Sequence, residues 1–221
     1  MPAMTETHLW ILSEPLFILL VVATLAAMLL TPERAWLHGL LALLADLTRY
    51  AGVFLVGTVT LWHLLRPGTR RERLTRAATA LAPGALLQLW WQLDGVTPGG
   101  GISRDAFAGL GAALLEGART IEAWLVPGVP DGMMRLGLAL AILLILKWCG
   151  WRTLLGADNQ RHPFFLAILL TSFCYLGMLL FARLHIVADV PFDDRILGPL
   201  FVVLTIGTVP ILAWRWRGWG M

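Results

Sequence analysis

The stretch LWILSEPLFILLVVATLAAMLL, residues 9 to 30, decides how the rest of the chain is interpreted. It is 22 residues long, and its only polar side chains are Ser13, Glu14 and Thr24. A bilayer core about 30 Å thick needs about 20 apolar residues in one helix. The run ends at 31–34, Thr-Pro-Glu-Arg, because a proline and two charges stop a helix of this kind. The stretch therefore predicts a membrane-spanning helix.

The composition of the whole chain agrees with that prediction. Of its 221 residues, 58% are hydrophobic and 14% are charged, whereas soluble domains average about 45–50% and about 25%. A soluble protein of this size has too little interior to bury so many apolar side chains. The composition excludes a soluble globule, a disordered chain and a disulfide-rich secreted domain. The net charge of +3 is attributed to membrane topology rather than to nucleic acid, so no nucleic-acid partner is expected.

The apolar run from Trp36 to Leu65 is too long for one span, because 30 residues reach about 45 Å at about 1.5 Å per residue. Its polar centre predicts two short helices that meet at Thr48-Arg49-Tyr50. Four further runs bring the prediction to about seven spans, the second and third being short: Arg76–Leu93, Met133–Trp148, Phe164–Arg183 and Ile196–Trp214. The predicted fold class is an all-α, polytopic membrane helix bundle, with residues 1–221 as a single membrane domain.

Charge predicts the orientation of the bundle. Alternate connecting segments, 31–35, 66–76, 147–162 and 215–221, hold 11 of the 17 basic residues but only three of the 14 acids. Positive segments stay cytoplasmic, so the N-terminus is predicted outside and the C-terminus inside. The long connection 94–132 then lies outside. Its apolar residues from Phe107 to Leu125 recur at helical spacing, which predicts an amphipathic helix, either on the outer membrane surface or packed on the rim of the bundle.

Polar groups gather at the predicted outer face. Glu14 enters the first span there, and Arg49 and Tyr50 lie at the break between the second and third spans. The last outer loop contributes Asp189, Asp193, Asp194 and Arg195. Ionisable groups in membrane spans usually face a partner or a cavity. Two interpretations stay open: Glu14 pairs with Arg49 or Arg195 only to hold helices together, or these groups bind an anionic lipid head group. No motif for a metal or a cofactor is present.

Three segments resemble the GT-C membrane glycosyltransferases, which use polyprenyl-phosphate sugars. Ser13-Glu14-Pro15-Leu16-Phe17 opens a span, and Leu47-Thr48-Arg49-Tyr50-Ala51-Gly52 follows about 35 residues later. Near the C-terminus, 192–200, Phe-Asp-Asp-Arg-Ile-Leu-Gly-Pro-Leu, is similar to that family's "DxRxLxPLY" start of a late span. The order and spacing agree over most of residues 9 to 214. Gly198 and Phe201 depart from the pattern, in which Ser or Ala and Tyr are commoner.

The resemblance implies a GT-C-like homologue that binds a polyprenyl-phosphate sugar in the bacterial inner (plasma) membrane. Glu14, Arg49, Tyr50 and Arg195 would form the lipid-phosphate side of the site. The family's catalytic acid lies in a first outer loop several helices before the Ser13–Phe17 segment, so a partial enzyme is expected, and a partner membrane protein would carry the missing helices. If the chain is itself a glycosyltransferase, Asp189, Asp193 and Asp194 are the candidate bases.

Two other classes of function compete with the glycosyltransferase prediction. A non-catalytic integral-membrane subunit could dock on another membrane protein through its small residues, such as Ala77, Ala80 and Gly84. A transporter is disfavoured, because the charges cluster at one face rather than near the midplane and no internal repeat is visible. The first of these is the alternative to the glycosyltransferase prediction.

Overall fold

The computed structural model describes residues 2–93, 110–126, 136–137, 140, 144, 162–185 and 197–207. This part of the chain is helical between short connections and contains no strand, which confirms the all-α prediction for it. Among the described residues, seven helices have defined bounds, in chain order: α1 (Pro2–Leu30), α2 (Ala35–Thr48), α3 (Val53–Leu65), α4 (Arg70–Leu93), α5 (Leu110–Leu125), α6 (His162–His185) and α7 (Leu197–Gly207). Residues 136–137, 140 and 144 are helical as well. The predicted span Met133–Trp148 lies almost wholly outside the described residues.

The predicted break between the second and third spans is confirmed. Helix α2 ends at Thr48, a single 3₁₀ turn spans Tyr50–Gly52, and α3 begins at Val53. Helix α4 begins at Arg70, six residues before the predicted start at Arg76. A reciprocal cap explains this difference: the Thr69 amide donates to Glu72 Oε2 at 3.1 Å, and the Glu72 amide donates to Thr69 Oγ1 at 3.3 Å. Such a cap starts a helix among polar residues, ahead of its apolar part.

Cα proximity divides the chain into two compact units, of which the first is Met1–Gly99 with Leu166–Leu180. Its core is built by α1 to α4, and Phe17, Val21, Leu55 and Trp62 are buried in it. The Phe54 ring forms T-shaped pairs with the rings of Phe17 and Tyr175, at centroid distances of 6.3 and 4.8 Å, respectively. Helices α2 and α4 pack closely: a Cβ at Gly39 would lie 2.6 Å from the carbonyl oxygen of Ala80.

Polar contacts show that the first four helices run alternately up and down. Near the middle of α1, Glu14 contacts Arg49, which follows the end of α2. Just beyond the C-terminal end of α1, Glu33 contacts Arg66 and Arg76, which flank the connection from α3 to α4. The α2–α3 break and the α3–α4 connection therefore lie at opposite ends of this unit.

The second unit is Gly100–Phe165 with Phe181–Met221. A helix is present in the predicted amphipathic segment as α5 from Leu110 onward, while 94–109 lie outside the described residues. Its location on the outer side of a membrane stays a prediction. Leu114 on α5 is exposed, whereas the Trp124 ring lies 4.9 Å from Phe201 of α7. Packing against α7 therefore accounts for one end of the apolar face of α5.

Judged by length and composition, one helix in the described part of the chain could cross a membrane: Pro163–Ala182 within α6. Three apolar helical stretches there are shorter than a full span, Ala35–Thr48, Tyr50–Leu65 and Leu197–Gly207, and so is the apolar part Glu14–Leu30 of the longer helix α1. The predictions of about seven spans and of an outside N-terminus therefore stay predictions.

Candidate functional site

The candidate site is built on the break between α2 and α3. Arg49 has an extended backbone, with φ −151° and ψ 132°, so the α-helix ends there. The Gly52 amide then donates to the Arg49 carbonyl at 2.7 Å, which closes the 3₁₀ turn Tyr50–Gly52. This turn reverses the chain within a few residues, and it leaves the Arg49 side chain at the end of the helix pair.

Glycine at position 52 is required by the close approach of this turn to α2. A Cβ there would overlap the backbone of Ala45 and the amide nitrogen of Asp46. The backbone conformation itself is ordinary, since φ is −59°. Glycine is therefore required at position 52 because there is no room for a Cβ atom, and not because the backbone is left-handed.

Asp46, near the C-terminal end of α2, stabilises the break between α2 and α3. Its carboxylate is fully buried, Oδ2 accepts a hydrogen bond from Gln88 Nε2 of α4 at 2.8 Å, and the carboxylate faces the Val53 amide at the start of α3. Oδ1 accepts no hydrogen bond of standard geometry from the described part of the chain. Buried carboxylates are costly unless they are paired, so Asp46 holds α2, α3 and α4 together and is sealed from any ligand.

Glu14 and Arg49 meet across 35 residues of sequence. Arg49 Nη1 donates to Glu14 Oε1 at 2.9 Å, and the two side chains are 23% and 47% exposed, respectively. The predicted contact between these residues is therefore present. Because the pair is partly exposed and the guanidinium carries five N–H donors, Arg49 has the capacity to bind a further acceptor beside Glu14.

Tyr50 lies next to this pair in the chain and packs against α4. Its ring centroid is 5.8 Å from that of Trp91, and its side chain is partly exposed. Tyrosine and tryptophan rings, which carry a polar O–H or N–H group on an apolar body, are typical of helix ends at a membrane interface. The other predicted site residues, Asp189, Asp193, Asp194 and Arg195, lie outside the described residues.

Sequence reasoning missed a buried histidine pair at the opposite end of α2 and α3. His38 Nδ1 and His63 Nε2 are 2.9 Å apart, and both side chains are fully buried. Each histidine stands alone in an apolar run, 25 residues from the other, so neither has a local signal. Their equal distance in sequence from the break is a signal that predicts the contact. When two antiparallel helices are joined at 49–52, positions 38 and 63 lie at the same level along the helices.

An ion cluster formed by Glu33, Arg66 and Arg76 lies at the same end of α2 and α3 as the histidine pair. Glu33 contacts Arg66 at 3.3 Å and Arg76 at 2.6 Å. Arg66 also donates to the Pro32 carbonyl at 2.6 Å and lies over the Trp62 ring, 5.9 Å from its centroid. Glu33 is exposed on the surface, so this cluster serves chiefly to join the two connections.

Comparisons with protein-family models, with curated proteins and with solved structures find no match to this chain.

Proposed function

We propose that this protein is a polytopic membrane protein with the N-terminus outside. Its large apolar side chains face outward on several helices, with exposed fractions of 80% for Leu30, 66% for Leu86 and 69% for Phe173. Soluble proteins rarely expose so many large apolar groups. Helices α2 and α3 are too short to span separately, but short helices are tolerated at membrane depth where they face protein. Both pack against α4.

We further propose that the Arg49 guanidinium, with Glu14 beside it, binds the phosphate of a polyprenyl lipid. The observation that carries this proposal is the 2.9 Å contact between Glu14 and Arg49, because it joins the first two segments that resemble the GT-C family. Arginine suits a phosphate group, since its planar fork of donors matches the oxygens bidentately. Glu14 occupies one donor and orients the rest.

Partial exposure of the pair supports a binding role over a merely structural one. An exposed ion pair contributes about 0–1 kcal/mol to stability, so Glu14 and Arg49 hold the helices only weakly. The break itself is held by the Gly52 approach and by Asp46 with Gln88. Arg49 is therefore available to bind a ligand without being needed for the fold.

Binding of polyprenyl phosphate to the purified protein in lipid nanodiscs, followed by native mass spectrometry, tests the proposal. Arg49→Ala should weaken binding about 10–100-fold, which corresponds to one charge-assisted contact of about 1.5–3 kcal/mol. Arg66→Ala is the matched control, because it removes an arginine from the opposite end of α3 and should leave binding unchanged. Polyprenol without phosphate should bind equally weakly to all three proteins.

Equal loss of affinity in both arginine variants would contradict the proposal, since it would indicate nonspecific charge attraction. Equal binding of polyprenol and polyprenyl phosphate would contradict it as well. Either result would favour the alternative, a non-catalytic membrane subunit.

A further inference from the structure

The connections at the Glu33 end of the first unit, 31–34 and 66–76, form a strongly basic surface. They hold six arginines and two acids: Arg34, Arg66, Arg70, Arg71, Arg73 and Arg76 against Glu33 and Glu72. Both acids are already engaged, Glu33 by two of these arginines and Glu72 by the cap of α4. Arg70 and Arg71 are exposed and form no ion pair with a described residue. Their positive charge is therefore left for an external anion.

The register between α2 and α4 shows how far this surface extends. A Cβ at Gly39 would touch the backbone of Ala80. Farther along both helices, Asp46 contacts Gln88, so α2 and α4 run parallel. Helix α2 begins four residues before Gly39, whereas α4 begins ten residues before Ala80. At about 1.5 Å per residue, α4 therefore extends about 9 Å beyond the start of α2.

Large apolar side chains mark the level at which the apolar surface ends. Trp36, the second residue of α2, and Leu65, the last residue of α3, are both exposed. They lie at one level, because each is two residues from a member of the His38–His63 contact. In the proposed membrane setting, the first turns of α4 project beyond that level into the head-group layer, which is about 5–8 Å deep on each side of a bilayer.

An exposed apolar strip continues from Arg70 and Arg71 along α4. It consists of Leu74, Ala78 and Leu81, all exposed, which follow Arg71 at spacings of three and four residues and so share one face of the helix. Basic side chains at the start of a helix oppose its dipole, so α4 itself gains no stability from the two arginines. A cationic end above an apolar strip matches a molecule with an anionic head and hydrocarbon chains.

We propose that Arg70 and Arg71 bind the phosphate of an anionic diacyl phospholipid, whose acyl chains lie along Leu74, Ala78 and Leu81. Guanidinium groups suit the phosphate oxygens, and basic residues close to a membrane surface attract anionic lipids. A zwitterionic head group carries its own cation and should bind less tightly. This inference rests on the proposed membrane setting, but not on polyprenyl-phosphate binding, because the two arginines lie at the other end of the helices from Arg49.

Native mass spectrometry of the full-length protein tests the site. The protein is released from nanodiscs that contain phosphatidylglycerol and phosphatidylcholine in equal amounts, and the lipid retained last is identified. The parent protein should prefer phosphatidylglycerol about 30-fold. Arg70→Gln and Arg71→Gln should each lower this preference about fivefold, and the double variant should abolish it. Arg119→Gln removes an exposed arginine from α5 and is the matched control, which should keep the preference.

Three results would overturn the proposal. The first is an absence of preference in the parent protein, or a loss of preference in Arg119→Gln equal to that in the two arginine variants. The second is displacement of the lipid by excess inorganic phosphate, which would indicate a site for a free anion. The third is binding of polyglutamate to the parent protein in pure phosphatidylcholine, lost in the double variant, which would indicate an acidic protein segment as the partner.

The same experiment separates this inference from the proposed function. Retention of neither lipid would contradict the membrane setting itself, whereas retention without preference would contradict this inference alone. Arg49→Ala should keep the preference for phosphatidylglycerol, and the double variant should keep its binding of polyprenyl phosphate. Because Arg70 and Arg71 are exposed, the glutamine variants should fold, and an unchanged unfolding temperature checks this.

Discussion

At the scale of single residues, Asp46 and Gln88 determine whether the break keeps its shape. The Gln88 amide and the buried Asp46 carboxylate are partners at 2.8 Å, and removing either leaves the other unpaired. Asp46→Ala and Gln88→Ala should each cost about 1–3 kcal/mol in the free energy of unfolding. Thermal unfolding in detergent measures the effect. The double variant should cost less than the sum of the two; strict additivity would show that the hydrogen bond is unimportant.

Gly52 gives a second prediction at this scale. A methyl group there would overlap the backbone of Ala45 and Asp46, and overpacking of this kind typically costs about 1–3 kcal/mol. Gly52→Ala should therefore lower the unfolding temperature. Gly177→Ala in α6 is the matched control, since a Cβ at position 177 would meet no atom of the described residues within 4 Å and alanine favours a helix. A control variant that is destabilised more than Gly52→Ala would refute this explanation of the break.

At the scale of helices, much was predictable from the sequence because the signals were local. The polar run 46–50 inside a long apolar stretch predicted the break between α2 and α3. The apolar pattern alone predicts a start of α4 at Arg76. Thr69 and Glu72 carry the capping pattern that marks the observed start at Arg70. The His38–His63 contact could not be found locally, since it depends on the register between two helices.

The cap at Thr69 supplies a prediction of its own. Thr69→Ala removes the side-chain oxygen that accepts from the Glu72 amide, and loss of such a cap typically costs about 1 kcal/mol. The first turn of α4 should fray, and its amides should exchange hydrogen faster than in the parent protein. Thr60→Ala is the control, because its hydroxyl only bonds the Val56 carbonyl within α3. Unchanged exchange at 70–73 in Thr69→Ala would contradict the prediction.

At the scale of the whole molecule, the alternation of charged segments predicts that 66–76 is cytoplasmic and 94–132 is outside. In a background lacking Cys149 and Cys174, Gly111→Cys should react with a membrane-impermeant thiol reagent in intact cells. Arg71→Cys should react only after the cells are opened. Both positions are exposed, so accessibility on the protein surface does not limit either reaction. If position 71 alone were labelled in intact cells, the predicted orientation would be wrong and the opposite orientation would be indicated.

At this scale, the contact between Glu14 and Arg49 was the predictable part of the site. The opposite orientation of α1 and α2 brings Glu14, near the middle of α1, level with Arg49, which follows the end of α2. Whether that contact held helices together or bound a ligand was left open by residue types alone. Exposure of the pair, together with the separate fixing of the break by Asp46 and Gly52, supplies the argument for binding.

Phosphorus NMR with a nitroxide label tests the central claim, a lipid phosphate bound at Arg49, most directly. The protein, with Cys149→Ser and Cys174→Ala, is placed in nanodiscs containing polyprenyl phosphate, whose monoester resonance is separate from that of bulk phospholipid. A label at Leu47→Cys, two residues before Arg49, should broaden the monoester resonance saturably, and Arg49→Ala should abolish the effect. A label at Arg71→Cys should not broaden it. Equal broadening from positions 47 and 71, or none from position 47, would contradict the account.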